Sequence, residues 1–233
     1  MTTLLYTHEA CFAHDPGSHH PESPARLKAV LDALSDPAFA GLVRREAPRA
    51  AVEDLARAHS RRFVEAMLTA IPATGHAAID ADTILSPGSG EAALRAAGAV
   101  TAAVDAVLAG EATNAFCAVR PPGHHAEAER AMGFCLFNSV ATGAERARHQ
   151  HGIERVAVVD FDVHHGNGTQ AIFAADPHLF YASTHQWPLY PGTGARGETG
   201  VGNLVNVPLR AMAGSREFRQ AFSDIILPAL DGF

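Results

Sequence analysis

The stretch that decides the fold is V-A-V-V-D-F-D-V-H-H-G-N-G, from Val156 to Gly168. Its first half is a short apolar run rich in β-branched residues, which predicts a strand buried on both faces of a parallel sheet. Two aspartates and two histidines follow at the end of that strand. Ligand crevices of open α/β sheets lie at the carboxyl ends of their strands, so a functional site is expected here.

Side chains of an extended segment alternate between faces, so Asp160, Asp162 and His164 are expected to project together. A carboxylate and an imidazole that project from one strand end supply half of a metal site. These side chains could instead hydrogen-bond the backbone of their own loop. That interpretation would also have to cover a second tandem pair, His124 and His125, and buried charges are costly unless they are paired or metal-bound. We therefore favour a site.

Composition limits the class of protein. The chain has 233 residues, of which 47% are hydrophobic and 18% charged, as is ordinary for a globular protein. This length fits one α/β domain, and we expect residues 1–233 to form a single domain. The net charge of −7 argues against direct binding of nucleic acid through a basic face. It is compatible with cationic small molecules or lysine-rich peptides.

Cysteine usage and the pattern of apolar residues bear on location. Three cysteines in no framework pattern indicate reduced thiols, and therefore the cytoplasm. The segment Met1 to Tyr6 lacks the basic and apolar regions of a signal peptide. The longest apolar helical stretch, Ala92 to Leu108, contains Arg95 and Asp105, so no membrane span is expected.

Predicted strands and helices alternate along the chain, which indicates an α/β fold with a mostly parallel sheet and helices on both faces. Besides the central stretch, strands are expected near residues 4–6, 115–119, 179–183 and 204–207. Helices are expected from residue 24, over 52–58, 60–71 and 92–109, and near 138–149, 169–174 and 215–230. The segment from Pro72 to Gly90 is expected to be a long loop, and such loops are more often functional than idle.

Polar motifs recur throughout the chain. Three follow predicted strands: R-P-P-G-H-H-A (120–126), D-F-D-V-H-H-G-N-G (160–168) and S-T-H (183–185). The others are H-P-E-S-P-A-R-L (20–27), M-G-F-C (132–135) and P-G-T-G (191–194). In this order and spacing they closely resemble the zinc-dependent histone deacetylase family. The match is to its class II-like branch, which includes bacterial amidohydrolases and acetylpolyamine deacetylases.

The resemblance implies an arginase/deacetylase-like fold and a metal-dependent hydrolase. Its substrate would be an N-acetylated lysine side chain or polyamine, from which it releases acetate. Asp162 and His164 match the first two ligands of Zn²⁺. The tandem histidines match the pair beside the zinc-bound water, with His125 as general base and then acid. His124 has an electrostatic role, and Asp160 matches its partner.

This chemistry requires these residue types. Hydrolysis of an amide at neutral pH needs a better nucleophile than water, and Zn²⁺ lowers the pKa of bound water to about 7. An imidazole can take up the proton and later deliver it to the leaving amine. Asn167 matches the partner of His125, where other branches of the family carry an aspartate. A neutral amide cannot raise the basicity of a histidine as a carboxylate would.

Further residues match the family's substrate and cation sites. The residues matched to the narrow channel for the acyl-lysine stem and to its rim are Phe134, Tyr190, Gly133 and Asp82. An inner site for a monovalent cation, such as K⁺, is matched by Asp160, Asp162, His164, Ser183 and Thr184. Arg26 matches an arginine of the inner cavity.

The sequence also departs from the family pattern. The chain ends at Phe233, before the segments that supply the family's third zinc ligand, an aspartate, and its oxyanion tyrosine. We therefore expect a sheet that lacks its last strands. Two alternatives stay open: a catalytically incomplete domain that binds acyl ligands or a partner chain, and a dimanganese ureohydrolase. The second needs a further carboxylate where this chain has Gly166. Oligomerisation is compatible with the sequence.

Overall fold

A computed structural model describes all 233 residues. In chain order, the strands are β1 (Thr3–Thr7), β2 (Leu42–Glu46), β3 (Ala77–Ala78), β4 (Ile84–Leu85), β5 (Asn114–Cys117), β6 (Val156–Asp160), β7 (Leu179–Gln186) and β8 (Leu204–Leu209). The helices are α1 (Pro24–Ala33), α2 (Val52–Ala58), α3 (Arg61–Thr69), α4 (Ser89–Leu108), α5 (Ser139–His151), α6 (Asn167–Phe173), α7 (Ser215–Ala221) and α8 (Leu227–Gly232). A π-helical turn, Phe222–Ile226, joins α7 to α8 where the sequence predicts one continuous helix.

The main strands form two parallel sheets, with the orders β2-β1-β5 and β6-β7-β8. The predicted α/β class and its parallel strands are therefore confirmed, although the strands form two sheets rather than one continuous sheet. β3 and β4 pair as a small antiparallel ribbon within the predicted long loop. In the second sheet, Asp160 at the end of β6 lies opposite Ser183 of β7. This register brings the polar residues of the two strand ends side by side.

The two sheets meet at edges that are not hydrogen-bonded to each other. β5 and β6 line the same two cavities, of about 720 and 470 Å³, which also expose Val100 of α4. The prediction that β6 is buried on both faces is wrong, since none of its five residues is fully buried. The reason is this open edge. Phe161 and Val163, just beyond the strand, are 70% and 52% exposed.

Helix α4 packs closely because its side chains are small. Most of its buried residues are alanine or glycine, and it contacts α5, β5 and β1. Where α4 meets α5, a Cβ atom on Gly143 would collide with Val100. Glycine at that position lets the two helices approach, which fixes α5 behind the second sheet. No helix is both long and apolar enough to cross a membrane.

A buried histidine links α2 to the segments that carry the polar motifs. His59 is 3% exposed. Its Nδ1–H donates to the Glu127 carbonyl oxygen at 2.9 Å, and its Nε2 accepts the Asn138 N–H at 2.9 Å. Both bonds require the neutral ring. Burial, only partly offset by the hydrogen bonds to backbone, lowers the pKa of His59 from 6.5 to about 4.

We expect His59 to make the protein less stable in acid. Above pH 6.5 the ring is neutral in both states, so its contribution to stability is complete. Between pH 6.5 and about 4 only the unfolded chain binds the proton, and the free energy of unfolding falls by ~1.4 kcal/mol per pH unit, about 3 kcal/mol in all. Urea unfolding from pH 7.5 to 4 measures this slope. His59→Gln should flatten it by one proton, whereas His178→Gln, at an exposed site, should not. An unchanged slope in His59→Gln would contradict the assignment.

Candidate active site

The loop after β6 is braced by its own aspartates. The Asp162 N–H donates to Asp160 Oδ1 at 3.1 Å, and the His164 N–H donates to Asp162 Oδ1 at 2.8 Å. Because each carboxylate caps a turn two residues long, the extended chain ends at Asp160 and the strict alternation of faces ends with it. The two aspartates thus do hydrogen-bond the backbone of their own loop, as the alternative interpretation of the sequence expects. This hydrogen bonding uses one oxygen of each carboxylate and leaves the other for further contacts.

The two loops that carry the histidines are held together through their backbones. The N–H groups of Gly168 and Thr169, at the start of α6, donate to the His124 carbonyl oxygen at 3.0 and 3.1 Å. Gly168 also lies against the backbone of Ala126, where a Cβ atom would have no room. The tandem histidines are therefore fixed relative to the loop that carries Asp162 and His164.

These loops surround a cavity of about 460 Å³. It brings together both residues matched to zinc, both tandem histidines and all four residues matched to substrate binding: Asp162, His164, His124, His125, Phe134, Tyr190, Gly133 and Asp82. Asp160 and Asn167 lie behind this lining. Pro21, Glu22, Arg26, Pro122 and Val163 complete the wall.

Aromatic rings form two sides of the cavity. The Tyr190 ring packs edge-on against His125, with ring centroids 5.1 Å apart. Phe134 is 4.7 Å from the ring of His20 in a T-shaped contact, and its backbone N–H donates to Thr83 Oγ1 at 3.2 Å. Gly133 adopts φ +56° directly beside His125, where a side chain would collide with the imidazole. Such walls suit an aliphatic stem.

Asp82 stands at the rim in a braced turn. Asp80 Oδ1 accepts the N–H groups of Asp82 and Thr83 at 3.1 and 2.7 Å, and Thr83 Oγ1 donates to Asp82 Oδ1 at 3.0 Å. Partial burial and the charge of Asp80 raise the pKa of Asp82. The pKa of Asp80 is lowered, because the hydrogen bonds that it accepts outweigh its burial. The rim carboxylate is therefore held in a fixed position.

The tandem histidines have different partners. His124 Nδ1–H donates to Asp160 Oδ2 at 2.8 Å, whereas His125 Nδ1–H donates to Asn167 Oδ1 at 2.9 Å. Burial disfavours a charge on His124, but its hydrogen bond to Asp160 and the charge of Asp160 outweigh burial and raise its pKa. Burial, together with the neighbouring charge of His124, lowers the pKa of His125 to about 4. The pKa values of the two imidazoles are thus shifted in opposite directions, and His125 is the neutral base.

Two residues behind the histidines were not identified from the sequence: Tyr181 and Glu127. Tyr181 is fully buried in β7; its hydroxyl donates to Asp160 Oδ2 at 3.1 Å and accepts the Gly166 N–H at 3.0 Å. Burial raises its pKa, so the hydroxyl keeps its proton as a donor. A tyrosine within a buried strand needs a hydrogen-bond partner, which is the signal that could have pointed to it. Glu127 Oε1 accepts a hydrogen bond from Asn167 Nδ2 at 2.8 Å.

We expect Tyr181→Phe to lower the free energy of unfolding by about 1–3 kcal/mol, because the buried Gly166 N–H would lose its acceptor. Urea unfolding at pH 7 measures the change. Tyr190→Phe is a matched control, since the Tyr190 hydroxyl has no hydrogen-bond partner within the protein and the ring is 37% exposed. Equal stability of the two variants would show that the Tyr181 hydroxyl contributes nothing.

Two side chains in the cavity are of the types that bind zinc. Asp162 Oδ1 and His164 Nδ1 lie 3.1 Å apart, and both residues line the cavity. A catalytic zinc ordinarily has three protein ligands, and no group of three or more His, Cys, Asp or Glu side chains among the 233 residues is arranged to hold a metal. The donor pair fits zinc in kind, and these two side chains would hold it. A side chain at Gly166 would collide with Asp160 and Tyr181, so no further carboxylate fits there.

The residues matched to the monovalent-cation site and to the inner cavity lie close to the zinc-type pair. Ser183 Oγ is 2.9 Å from His185 Nδ1, and Thr184 Oγ1 is buried without a hydrogen-bond partner. Ser183 lies beside Asp160, as the matched monovalent-cation site requires. Arg26 is at one end of the cavity with a side chain that is 61% exposed, 3.8 Å from Glu22. It is therefore not enclosed as the matched inner cavity implies.

Comparisons with known proteins agree with the motifs. The histone deacetylase domain matches residues 20–233. The histone deacetylase-like amidohydrolase of Pseudomonas aeruginosa is 41% identical over 99% of this chain and 67% of its own length. A probable deacetylase of Archaeoglobus fulgidus is 37% identical over 100% of this chain and 66% of its own. The crystal structure of the HDA15 HD domain superposes with a TM-score of 0.92 at 34% identity, covering 97% of this chain and 67% of that one.

The chain therefore belongs to the histone deacetylase family. It spans about two thirds of the length of these relatives. Their names and the shared domain confirm the class of enzyme that the motifs predict, a hydrolytic deacetylase. The resemblance to this family and the fold that it implies are confirmed as well.

Proposed function

We propose that this protein catalyses zinc-dependent hydrolysis of the amide of an N-acetylated lysine side chain or polyamine. One observation carries the proposal. The zinc-type donors Asp162 and His164 share a cavity with two adjacent histidines whose pKa values are shifted in opposite directions. Pairs of titratable groups whose environments separate their pKa values mark acid and base roles.

The side chains divide the work. Phe134 and Tyr190 hold the aliphatic stem between them and exclude bulk water from the amide. His125, neutral at pH 7, takes the proton of the attacking water and then delivers it to the leaving amine. His124, whose pKa is raised because its contacts with Asp160 outweigh its burial, stabilises negative charge that develops on the reacting amide. The absence of a side chain at Gly133 lets the backbone before Phe134 lie directly against the His125 ring.

Asp162 and His164 would hold the zinc ion. When bound, zinc lowers the pKa of water and polarises the amide carbonyl. We also propose a K⁺ site behind it, formed by Asp160, Ser183 and the carbonyl of Thr184 with Asp162 and His164. The strand register that places Asp160 opposite Ser183 supports this assignment. An ion there would brace the loop that positions the zinc ligands.

The substrate is proposed to be a small acetylated amine or an acetyl-lysine peptide. Asp82 at the rim suits a backbone N–H or a cationic amine, and the net charge of −7 favours cationic molecules over nucleic acid. Three free cysteines support a reducing, cytoplasmic location. The class II-like branch is supported by Asn167, which occupies the position where other branches carry an aspartate.

Acetate release tests the proposal. The purified protein, reconstituted with Zn²⁺, is incubated with an acetyl-lysine peptide and separately with an N-acetylated polyamine. We expect metal-dependent release of acetate from at least one, abolished by a chelator and restored by Zn²⁺. The same assay is run on a version extended to the full length of the relatives. Tight acyl-lysine binding without turnover in both versions would instead support a catalytically incomplete binding domain. Urea release with two Mn²⁺ ions bound would support a ureohydrolase.

A further inference from the structure

The side chain of Asn167 connects His125 to a carboxylate. Asn167 Oδ1 accepts the His125 Nδ1–H at 2.9 Å, and Asn167 Nδ2 donates to Glu127 Oε1 at 2.8 Å. Asn167 and His125 are 6% and 4% exposed, so water does not compete at these atoms. Sequence alone suggested that the amide leaves His125 without support from a negative charge. The structure places that charge one side chain further away.

The carboxylate has no other side-chain partner. Glu127 forms no ion pair with any Lys, Arg or His of the 233 residues, and Asn167 Nδ2 is the only side-chain donor that it accepts from. Its backbone is held independently, since the Glu127 carbonyl accepts from His59 and its N–H donates to Arg130. The carboxylate is therefore placed by the fold against the amide rather than drawn there by a cation.

The chemistry of these groups fixes the orientation of the amide. An ionised carboxylate only accepts hydrogen bonds, so Asn167 must turn its NH₂ group towards Glu127. Its Oδ1 then faces His125, which must donate from Nδ1. In a neutral imidazole the remaining nitrogen, Nε2, is then unprotonated. Because His125 lines the cavity, this is the tautomer that can accept a proton there.

We propose that Glu127 is a positioning residue, which acts through Asn167 to hold His125 in the Nδ1–H tautomer and in a fixed orientation. This inference deepens the proposed function and rests on it for the role of His125. His124 is oriented by a carboxylate in direct contact, since its Nδ1–H donates to Asp160 with no residue between them. For His125, the carboxylate lies behind the amide of Asn167. The ring keeps a fixed orientation, and the negative charge, being further away, raises its basicity less than an adjacent carboxylate would.

A four-member set of variants tests the inference: the wild type, Glu127→Gln, Asn167→Asp, and the double variant. Glu127→Gln removes the acceptor-only group, so both amide orientations become available. Asn167→Asp sets two carboxylates against each other at the 2.8 Å contact. In the double variant, Asp at 167 accepts from both His125 and Gln at 127, which restores the pattern. We expect each single variant to lower kcat for acetate release by ~10- to 100-fold with little change in KM, and the double variant to recover most of it.

A second measurement needs no turnover. Nitrogen-15 NMR of labelled histidine distinguishes the two tautomers of His125, and melting curves verify that each variant is folded. The wild type and the double variant should show the Nδ1–H tautomer, and Glu127→Gln a mixture of both. Glu129→Gln, at the exposed neighbouring acid, should behave as the wild type in both measurements.

The outcomes separate the inference from the proposed function. Wild-type kcat and tautomer in Glu127→Gln, or a double variant no better than the single variants, would overturn the role of Glu127. Absence of acetate release from every protein counts against the proposed function, and the NMR result alone then decides whether Glu127 sets the tautomer.

Discussion

Replacing His125 by alanine is expected to lower kcat for acetate release by about 100- to 10,000-fold, the usual contribution of a positioned acid–base group. Its imidazole is the neutral one of the pair, with a pKa lowered to about 4 by burial and by the charge of His124. Its Nδ1–H donates to Asn167 behind the cavity wall, which fixes the ring in place. The measurement is steady-state kinetics at pH 7.5 with saturating Zn²⁺.

Two comparisons give this prediction its specificity. KM should change little, because the aromatic walls Phe134 and Tyr190 are untouched. His178→Ala, at an exposed position outside the cavity, should retain full activity. A loss of less than ~10-fold in His125→Ala would remove this residue from the role of general base. An equal loss in binding of acyl-lysine would assign it to binding instead.

Arg120→Met is expected to lower the free energy of unfolding by about 3–5 kcal/mol, because it removes the buried arginine that pairs with a buried carboxylate. Arg120 is 3% exposed and Glu22 is completely buried. The guanidinium bonds to both oxygens of Glu22 and to the carbonyl oxygens of Cys11 and His14, the latter two at 2.7 and 3.0 Å. Burial opposes ionisation, yet the hydrogen bonds from His14 and Arg120 lower the pKa of Glu22 below its usual value.

The control variants separate the lost pair from a general effect of losing an arginine. Arg196→Met removes an exposed arginine that forms no ion pair and should change stability by less than ~0.5 kcal/mol. Adding Glu22→Gln to Arg120→Met removes the stranded charge and should restore part of the stability. Urea unfolding at pH 7 measures all three. A loss below ~1 kcal/mol in Arg120→Met would contradict the account of this pair.

The same pair shows what the sequence could not reveal. Glu22 and Arg120 lie 98 residues apart in the chain, in two separate polar motifs. Their burial depends on how the loop before α1 folds against the loop after β5. No local pattern encodes that contact, so the sequence assigned neither residue a role.

The main site was predictable because it depends on local rules. Asp162 and His164 follow a strand, as do His124 and His125, and carboxyl ends of parallel strands meet at one edge. The sequence therefore predicted a shared cavity, and the structure brings these residues together. The contact of Glu127 with Asn167 follows no such local rule, so the sequence did not predict it.

The burial of β6 was predicted incorrectly for a related reason. Its apolar run indicates a strand that is covered on both faces, and the pattern carries no information about which neighbours lie at its edge. The free edge beside Val158 and Val159 leaves the strand partly exposed. Which element lies at the edge of a strand depends on the tertiary fold. The sequence therefore predicted the strand itself but not the elements that cover it.

Anomalous diffraction at the zinc edge, from crystals saturated with Zn²⁺, tests the central claim most directly. The account predicts a peak about 2.0–2.2 Å from the Asp162 carboxylate and the His164 imidazole, on the side of the cavity that His124 and His125 face. A peak held by other side chains, with none between Asp162 and His164, would contradict it.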